Sequence, residues 1–336
     1  METINLIRDN AKKAKAKIVL PEGEEARVIK AAAFISKEKI ADLIVLGDEK
    51  KTRDSLLSQG ADMEKIEVIE IKTSPLLEKY ISIFYELRKH KNITPQQARE
   101  AILSNSLFFG ALLVREHLAD GFVAGSVNTT SDVARSALWC LGLDRNMPTM
   151  SSSFVMIMPD KSFGEKGVLV FADCGIVPEP SQKQLANIAI ASSDLMTAIF
   201  DVAPRVAMLS FSTKGSAKVP ETEKITAAVE IVKKARPDIL IDGELQADAA
   251  LIPEVAGIKA PGSPIEGKAN VLIFPSLEAG NISYKLTQRL AKARALGPLL
   301  QGLLYPCSDL SRGCSWEDIV DIVALTVLRH ASKKGK

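Results

Sequence analysis

Short apolar runs alternate with helical stretches along most of this 336-residue chain. Near its beginning the apolar runs cover residues 17–22, 41–48 and 66–71, and residues 25–39 between the first two favour a helix. Strands that alternate with helices form a parallel sheet, because each connection must cross one face of the sheet before the next strand begins. The sequence therefore predicts an α/β fold with mostly parallel sheets.

The same alternation resumes in the second half of the chain. Strand-like runs that end in polar loops cover residues 154–158, 167–172, 205–209, 239–241 and 269–275. Helical stretches cover residues 182–200, 221–236 and 281–295, and one long helical stretch is predicted before them at 76–117. We predict two domains, a first α/β domain of residues 1–146 plus 298–336 and a second of residues 147–297.

The composition excludes several classes of protein. The chain has 43 basic and 41 acidic residues and a formal net charge of +2, so no nucleic-acid surface is predicted. No apolar run approaches the roughly 20 residues that a membrane helix needs. The four cysteines form no Cys-x-x-Cys pair and the three histidines lie far apart, so no metal site is predicted. We expect a reduced, cytoplasmic protein.

Two common nucleotide-binding motifs are missing from the sequence. The Gly-x-Gly-x-x-Gly fingerprint does not follow any of the early strands, and no Gly-x-x-x-x-Gly-Lys-Ser/Thr loop occurs in the chain. Both motifs place backbone N–H groups against phosphates at a helix N-terminus. Their absence argues against ordinary nicotinamide binding and against a P-loop nucleotide site.

The polar stretch from Ser311 to Asp318 carries the clearest chemistry. Ser311 offers a hydroxyl, Arg312 a planar cation suited to phosphate, and Asp318 a carboxylate that accepts a proton. A turn that precedes a helix N-terminus also favours an anion, because backbone N–H groups and the helix dipole point toward it. The alternative is structural, since Ser315 and Asp318 match the Ser-x-x-Asp form of a capping box.

A second polar loop follows the strand-like run at residues 121–125. The loop residues that could bind phosphate have short polar side chains; they are Ser126, Asn128, Thr129 and Thr130. Donors at the C-terminal end of a strand are common phosphate ligands in α/β proteins. The alternative is a Ser/Thr-rich N-cap for the next helix, which carries Arg135.

Several stretches spread over essentially the whole chain together resemble the phosphate acetyltransferases. They are residues 85–91, 125–135, 171–173, 209–218, 241–246, 259–264, 280–285 and 309–313. The resemblance implies two α/β domains that face a cleft, in an architecture like that of isocitrate and isopropylmalate dehydrogenases. It also implies a homodimer that transfers an acetyl group reversibly between two small-molecule substrates, acetyl phosphate and coenzyme A (CoA), with no bound cofactor.

The resemblance implies roles for individual residues as well. Asp318 would take the proton of the CoA thiol, Ser311 would contact the thiol or the developing charge, and Arg312 would hold the acyl phosphate. Arg88 and Arg135 match positions that bind CoA or phosphate. Further substrate-binding positions are Ser126, Asn128, Thr129, Thr130, Asn281, Tyr284 and Lys285. A thiol titrates near ~8.5 and an Asp near ~3.9, so full proton transfer is uphill by roughly 6 kcal/mol unless the site shifts one of these pKa values.

Three other functions compete with acetyl transfer. A phosphate butyryltransferase would use a longer acyl chain, and a hydrophobic pocket discriminates one methylene by only ~1–3 kcal/mol. A dehydrogenase of the isocitrate type needs a metal-binding Asp cluster that we do not find in the sequence. A non-catalytic acyl-CoA-sensing module is disfavoured because Ser311, Arg312 and Asp318 are all present.

Covalent catalysis by cysteine is not expected. Some members of the resembling family have a Cys in the segment that matches residues 158–164, where this chain has Lys161. Cys314 lies inside the polar stretch, and a helix N-terminus lowers the pKa of a thiol. We nevertheless predict that Cys314 is a packed bystander.

Overall fold

The computed structural model describes residues 2–334, and the chain divides into two compact units, Met1–Leu143 with Leu303–Lys336 and Asp144–Gly302. The domain boundaries predicted from the sequence, after residue 146 and before residue 298, lie a few residues from these divisions. The two-domain assignment itself stays a prediction, which limited proteolysis would test.

The strands are short and most of their side chains are buried. In chain order they are β1 (Lys17–Leu20), β2 (Asp42–Leu46), β3 (Ile66–Ile69), β4 (Gly121–Ala124), β5 (Ser151–Ile157), β6 (Val168–Ala172), β7 (Arg205–Leu209), β8 (Leu240–Leu245), β9 (Val271–Ile273), β10 (Arg294–Gln301) and β11 (Cys307–Asp309).

The helices occupy most of the segments between the strands. In chain order they are α1 (Glu2–Ala14), α2 (Ala26–Lys37), α3 (Glu49–Ser58), α4 (Leu77–Arg88), α5 (Pro95–Ser104), α6 (Ser106–Arg115), α7 (Thr130–Ser136), α8 (Gln182–Phe200), α9 (Pro220–Ala235), α10 (Ala247–Leu251), α11 (Pro253–Lys259), α12 (Leu277–Leu290) and α13 (Trp316–Lys334). A π-helical turn, Ala137–Leu141, continues α7.

The sheet of the first unit is parallel. Its strands run in the order β3-β2-β1-β4-β11, and each neighbouring pair is parallel. The order reverses between β1 and β4, because β2 and β3 extend the sheet on one side of β1 and β4 and β11 extend it on the other. Such a reversal leaves a crevice outside the carboxyl ends of the strands, where α/β proteins bind ligands.

The sheet of the second unit is mixed. Its order is β10-β5-β6-β9-β7-β8; β5 is antiparallel to both of its neighbours, and the other pairs are parallel. The predicted α/β fold with mostly parallel sheets is confirmed. Sequence patterning missed β10, because Gly297 and Pro298 interrupt it and Pro cannot donate to a ladder. The pairing of β10 with β5 shifts register at this point, between Leu296 and Leu299.

The single long helix predicted at residues 76–117 is wrong. The segment forms α4, α5 and α6, with a break at Asn92, which has a left-handed φ of 59°. Thr94 then caps α5 and Pro95 occupies its first turn, while the Asn105 side chain caps α6. The apolar pattern continues across all three helices, but these polar and Pro residues end or begin each one.

α13 is anchored in the core of the first unit. Its buried apolar residues are Ile319, Val320, Ile322, Val323, Ala324, Leu325, Val327 and Leu328. Full burial of a large apolar side chain contributes about 1.5–3 kcal/mol, so this face holds the start of the helix, with Ser315 and Asp318, in a fixed place. Within residues 2–334, no helix is both long and apolar enough to cross a membrane.

Candidate functional site

The loop after β4 wraps around a buried carboxylate, that of Glu22 in the loop after β1. Glu22 Oε2 accepts hydrogen bonds from the backbone N–H groups of Gly125 (3.0 Å) and Ser126 (2.8 Å) and from Ser126 Oγ (2.5 Å). Glu22 Oε1 accepts from the backbone of Val127 (3.2 Å) and from both the backbone (3.0 Å) and Nδ2 (2.7 Å) of Asn128. Ser126 and Asn128, which were predicted to bind phosphate, therefore already bind an internal anion, and their roles in substrate binding stay predictions.

Thr129 and Thr130 lie where the loop enters α7. Thr129 Oγ1 accepts from the backbone N–H of Asp132 at 3.2 Å, so the N-cap alternative is confirmed for Thr129. Thr130 Oγ1 donates to Asp309 Oδ2 at 2.6 Å, which links α7 to the end of β11. The roles of both residues in substrate binding stay predictions.

Asp309 is a fully buried acid beside the site. Its Oδ1 has no hydrogen-bond partner within residues 2–334. Burial raises the pKa of the Asp309 carboxyl to about 7, and the hydrogen bond from Thr130 opposes the rise. Both protonation states of this carboxyl are therefore populated near neutral pH.

The free energy of unfolding is expected to depend on pH through Asp309. The pKa is about 7 in the folded protein and near 3.8 without burial, so the folded state binds the extra proton between these values. The stabilisation of the folded state by this proton is fully present below about pH 4 and is lost as the pH rises through 7. Relative to Asp309→Asn, which does not ionise, the wild type should lose about 2–3 kcal/mol between pH 5 and pH 8. Urea unfolding at each pH measures the difference, and an unchanged difference would contradict the assignment.

The turn after β11 presents Ser311 and Arg312 to solvent. Ser311 Oγ accepts from the backbone N–H of Gly313 at 3.2 Å, and the Ser311 carbonyl accepts from Cys314 N–H at 2.9 Å. Beneath the turn lies Arg27, at the start of α2, whose guanidinium contacts the carbonyl oxygens of this turn. The Arg312 side chain is thus free to extend from a turn whose backbone is held from below.

Asp318 forms the capping box of α13 with Ser315. Asp318 N–H donates to Ser315 Oγ at 3.1 Å, and Ser315 N–H donates to Asp318 Oδ2 at 3.0 Å. The structural alternative for Asp318 is therefore confirmed. A cap at this position also keeps the half-buried carboxylate in a defined place beside the exposed turn, so its catalytic role stays a prediction.

Cys314 is buried between the turn and α13. Burial raises the pKa of its thiol to about 11, although the positive charge of Arg27 opposes the rise. The thiolate is the reactive form of cysteine, and little of it exists at neutral pH under these conditions. A buried thiol that stays protonated agrees with the prediction that Cys314 packs in the fold without taking part in the reaction.

Arg88 and Arg135 lie at one aromatic ring. The guanidinium carbon of Arg88 is 4.0 Å from the ring centroid of Trp139, and that of Arg135 is 5.9 Å away. Phe108 stacks on Trp139 with 5.6 Å between ring centroids. Asp132 Oδ1 accepts a hydrogen bond from Arg135 Nη1 at 2.8 Å. Two arginines from different helices thus form one cationic surface, which suits a ligand with several phosphates.

Three predicted substrate-binding residues belong to α12 of the second unit. Asn281 Nδ2 donates to the carbonyl of Cys174 at 3.0 Å, and Tyr284 stacks on Phe154 with 4.1 Å between ring centroids. Lys285 Nζ lies 5.1 Å from the centroid of the Tyr284 ring. Asn281 and Tyr284 therefore have packing roles within this unit, and the substrate contacts of all three stay predictions.

The sequence interpretation missed three residues of the first-unit site. Glu22 lies in an acidic run that resembles a solvated loop, and Arg27 lies in the first turn of a helix. Trp139 follows Arg135 by four residues, which is the spacing of neighbours on one helix face. Of the three residues, only Trp139 could have been linked to the site by such a sequence pattern. No group of His, Cys, Asp or Glu within residues 2–334 is arranged to hold a metal ion.

Comparison with known proteins identifies the family. The profile of a family described as phosphate acetyl/butaryl transferase matches residues 2–327. A phosphate acetyltransferase of Thermoanaerobacterium thermosaccharolyticum is 50% identical over 329 residues, which are 98% of this chain and 99% of that protein. A phosphotransacetylase structure from Streptococcus pyogenes matches with a TM-score of 0.91 and 39% identity, over 98% of each chain.

A more distant structure shares the fold alone. It is a 4-hydroxythreonine-4-phosphate dehydrogenase from Klebsiella pneumoniae, with a TM-score of 0.55 and 11% identity over 95% of this chain and 98% of that one. The likeness agrees with the predicted dehydrogenase-like architecture. The near-complete sequence matches confirm the resemblance seen in the sequence: the chain belongs to the phosphate acetyl/butaryl transferase family.

Proposed function

We propose that this protein is an acyltransferase that moves an acetyl group reversibly between acetyl phosphate and CoA, giving acetyl-CoA and inorganic phosphate. The observation that carries this proposal is the 50% identity to a phosphate acetyltransferase over 98% of the chain. The exposed turn with Ser311 and Arg312, beside the anchored carboxylate of Asp318, supplies groups that fit the reaction.

The reaction proceeds by direct attack within a complex that holds both substrates. Asp318 accepts the proton of the CoA thiol, and the thiolate sulfur attacks the carbonyl carbon of acetyl phosphate. The bond between that carbon and the bridging phosphate oxygen breaks, and phosphate leaves with the electron pair. Arg312 holds the acyl phosphate through its phosphate oxygens, and Ser311 donates a hydrogen bond to the developing charge. CoA is a substrate in this scheme, and no resident cofactor takes part.

The two arginines at Trp139 are assigned to CoA. Its phosphates are matched by the planar guanidinium groups of Arg88 and Arg135, which can each bind two phosphate oxygens.

Exchange of labelled phosphate tests the direct mechanism. Without CoA, direct attack cannot start, so radiolabelled phosphate should not enter acetyl phosphate. An enzyme that forms an acyl-enzyme intermediate would catalyse this exchange without CoA, and that result would exclude the scheme.

Acyl phosphates of increasing length decide the second candidate, a butyryl-transferring enzyme, which the family description includes. Acetyl phosphate should give the highest kcat/KM in a series with propionyl and butyryl phosphate. A higher value for butyryl phosphate would reassign the substrate while leaving the reaction class unchanged.

We also propose a homodimer, with α12 in the interface. Only Gly280 of this helix is buried, and Ile282, Leu286 and Leu290 are 51%, 52% and 77% exposed at successive four-residue spacings. This spacing places the three side chains on one face. An unpartnered apolar stripe of this kind favours a second copy of the chain as its cover.

Leu286→Glu is expected to convert the dimer into a monomer, because burial of a carboxylate in an apolar interface is unfavourable. Sedimentation velocity would show the mass halved. Leu57→Glu is the matched control: Leu57 is 54% exposed on α3, outside the stripe, and its replacement should leave the mass unchanged. A wild-type monomer would refute the dimer proposal.

A cytoplasmic location is part of the same proposal. The four cysteines are all free and buried, as expected for a protein made in a reducing compartment.

A further inference from the structure

We propose that Arg27 is a positioning residue for acetyl transfer, which holds the Ser311–Arg312 turn and the loop after β4 in their working arrangement. This inference rests on the proposed function. Arg27 belongs to neither of the two polar segments, and it contacts both through main-chain oxygens.

The guanidinium of Arg27 joins three segments of the first unit. Nη1 donates to the carbonyl oxygens of Arg312 at 2.8 Å and Cys314 at 2.9 Å. Nη2 donates to the carbonyl oxygen of Ser126 at 2.9 Å. Nε donates to Glu25 Oε1 at 2.7 Å, which fixes the plane of the fork. One side chain thus satisfies acceptors in the turn after β11 and in the loop after β4.

These contacts determine how the turn presents its side chains. Carbonyl groups on both sides of Gly313 point toward Arg27, so rotation of the peptide planes in this turn would break one or both hydrogen bonds. Arg312 is exposed, and without this restraint its Cα position would be set by a mobile Gly-containing turn. A misplacement of about 1 Å from such a remote cause can lower a rate about 100-fold.

The same residue links the turn to Glu22. Ser126 donates to the Glu22 carboxylate through its N–H and hydroxyl, and its carbonyl accepts from Arg27. Glu22 and Arg27 therefore hold opposite ends of one peptide segment. The hydrogen bond to Glu25 is the largest cause of the raised pKa of Arg27, and the negative charge of Glu22 adds to the rise.

Lysine cannot reproduce this arrangement. Arg27 uses three nitrogens in a rigid plane to reach three carbonyl oxygens and one carboxylate, whereas an ammonium is a single point from which all donors diverge. Arg27→Lys therefore keeps the charge and removes the geometry. The matched control is Arg205→Lys in the second unit, where Arg205 also binds main-chain carbonyls, those of Lys268 and Gly164.

The test compares kcat, the KM values and thermal stability of the wild type, Arg27→Lys and Arg205→Lys in the direction of acetyl-CoA formation. Arg27→Lys should lower kcat about 10–100-fold, with the KM for CoA changed less than threefold, because Arg88 and Arg135 are untouched. Arg205→Lys should keep the wild-type kcat even if its melting temperature falls.

Chemical rescue separates positioning from simple stabilisation. In Arg27→Ala, guanidinium at low millimolar concentration should restore part of kcat, because the ion can occupy the vacated fork site, and methylammonium should not. The inference is overturned if Arg27→Lys retains kcat within twofold of the wild type. It is also overturned if activity falls only in proportion to the unfolded fraction and guanidinium restores nothing. A wild type without transferase activity would instead refute the proposed function.

Discussion

Asp318→Asn is expected to lower kcat by about 10²–10⁴-fold, the usual contribution of a general base. The variant should remain folded, because the amide oxygen of Asn can still accept from Ser315 N–H in the capping box. The expected defect is therefore in the removal of the thiol proton. It is measured as the maximal rate of acetyl-CoA formation, with urea unfolding of the same preparation.

Ser315→Ala is the matched control for this prediction. It removes the hydroxyl that accepts from Asp318 N–H and leaves the carboxylate in place. Loss of such a cap costs about 1 kcal/mol of stability, so unfolding should shift while kcat stays near the wild-type value. If Asp318→Asn instead lowers stability and keeps its turnover, Asp318 is only the cap and the base is another residue.

Arg312→Ala is expected to lower kcat/KM for acetyl phosphate by about 10²–10³-fold, the effect of removing one donor to transition-state charge. The KM for CoA should change much less, because Arg88 and Arg135 carry that contact in the proposed scheme. The backbone should be unaffected, since Arg27 binds the carbonyl oxygen of residue 312 and not its side chain. Steady-state kinetics with each substrate varied in turn gives both values.

Arg53→Ala provides the comparison for Arg312. Arg53 is an exposed residue of α3, so its loss changes the net charge equally without touching the site. An equal loss of activity in both variants would mean that general electrostatic attraction, and not a specific contact, explains the effect. A normal kcat/KM in Arg312→Ala would remove Arg312 from the mechanism.

β1, β2 and β4 could be predicted because nearly every residue of their apolar runs is buried. β3 could be predicted because buried and exposed residues alternate along it. β11 escaped prediction, because the three residues of Cys307–Asp309 are too short and too polar to show a pattern. Yet β11 lies next to β4 and carries the candidate turn. The capping box of Ser315 and Asp318 was visible, since both of its members lie within one helical turn.

The tertiary part of the site could not be read from the sequence. Glu22 meets the loop after β4 only because β1 and β4 are neighbours in the sheet, and the strand order is not written in local periodicity. Arg27 likewise reaches residues almost the full length of the chain away. The chemistry of the turn pointed to Ser311 and Arg312, and the family resemblance supplied their roles. The charged residues that hold the turn, Glu22 and Arg27, depend on packing between distant segments.

The acetyltransferase activity is tested most directly by incubating the purified wild-type protein with acetyl phosphate and CoA and following the formation of acetyl-CoA by thioester absorbance. We expect continuous turnover that requires both substrates and releases one phosphate for each thioester formed. No thioester with acetyl, propionyl or butyryl phosphate, together with calorimetric binding of acetyl-CoA, would contradict it and would identify a non-catalytic acyl-CoA sensor.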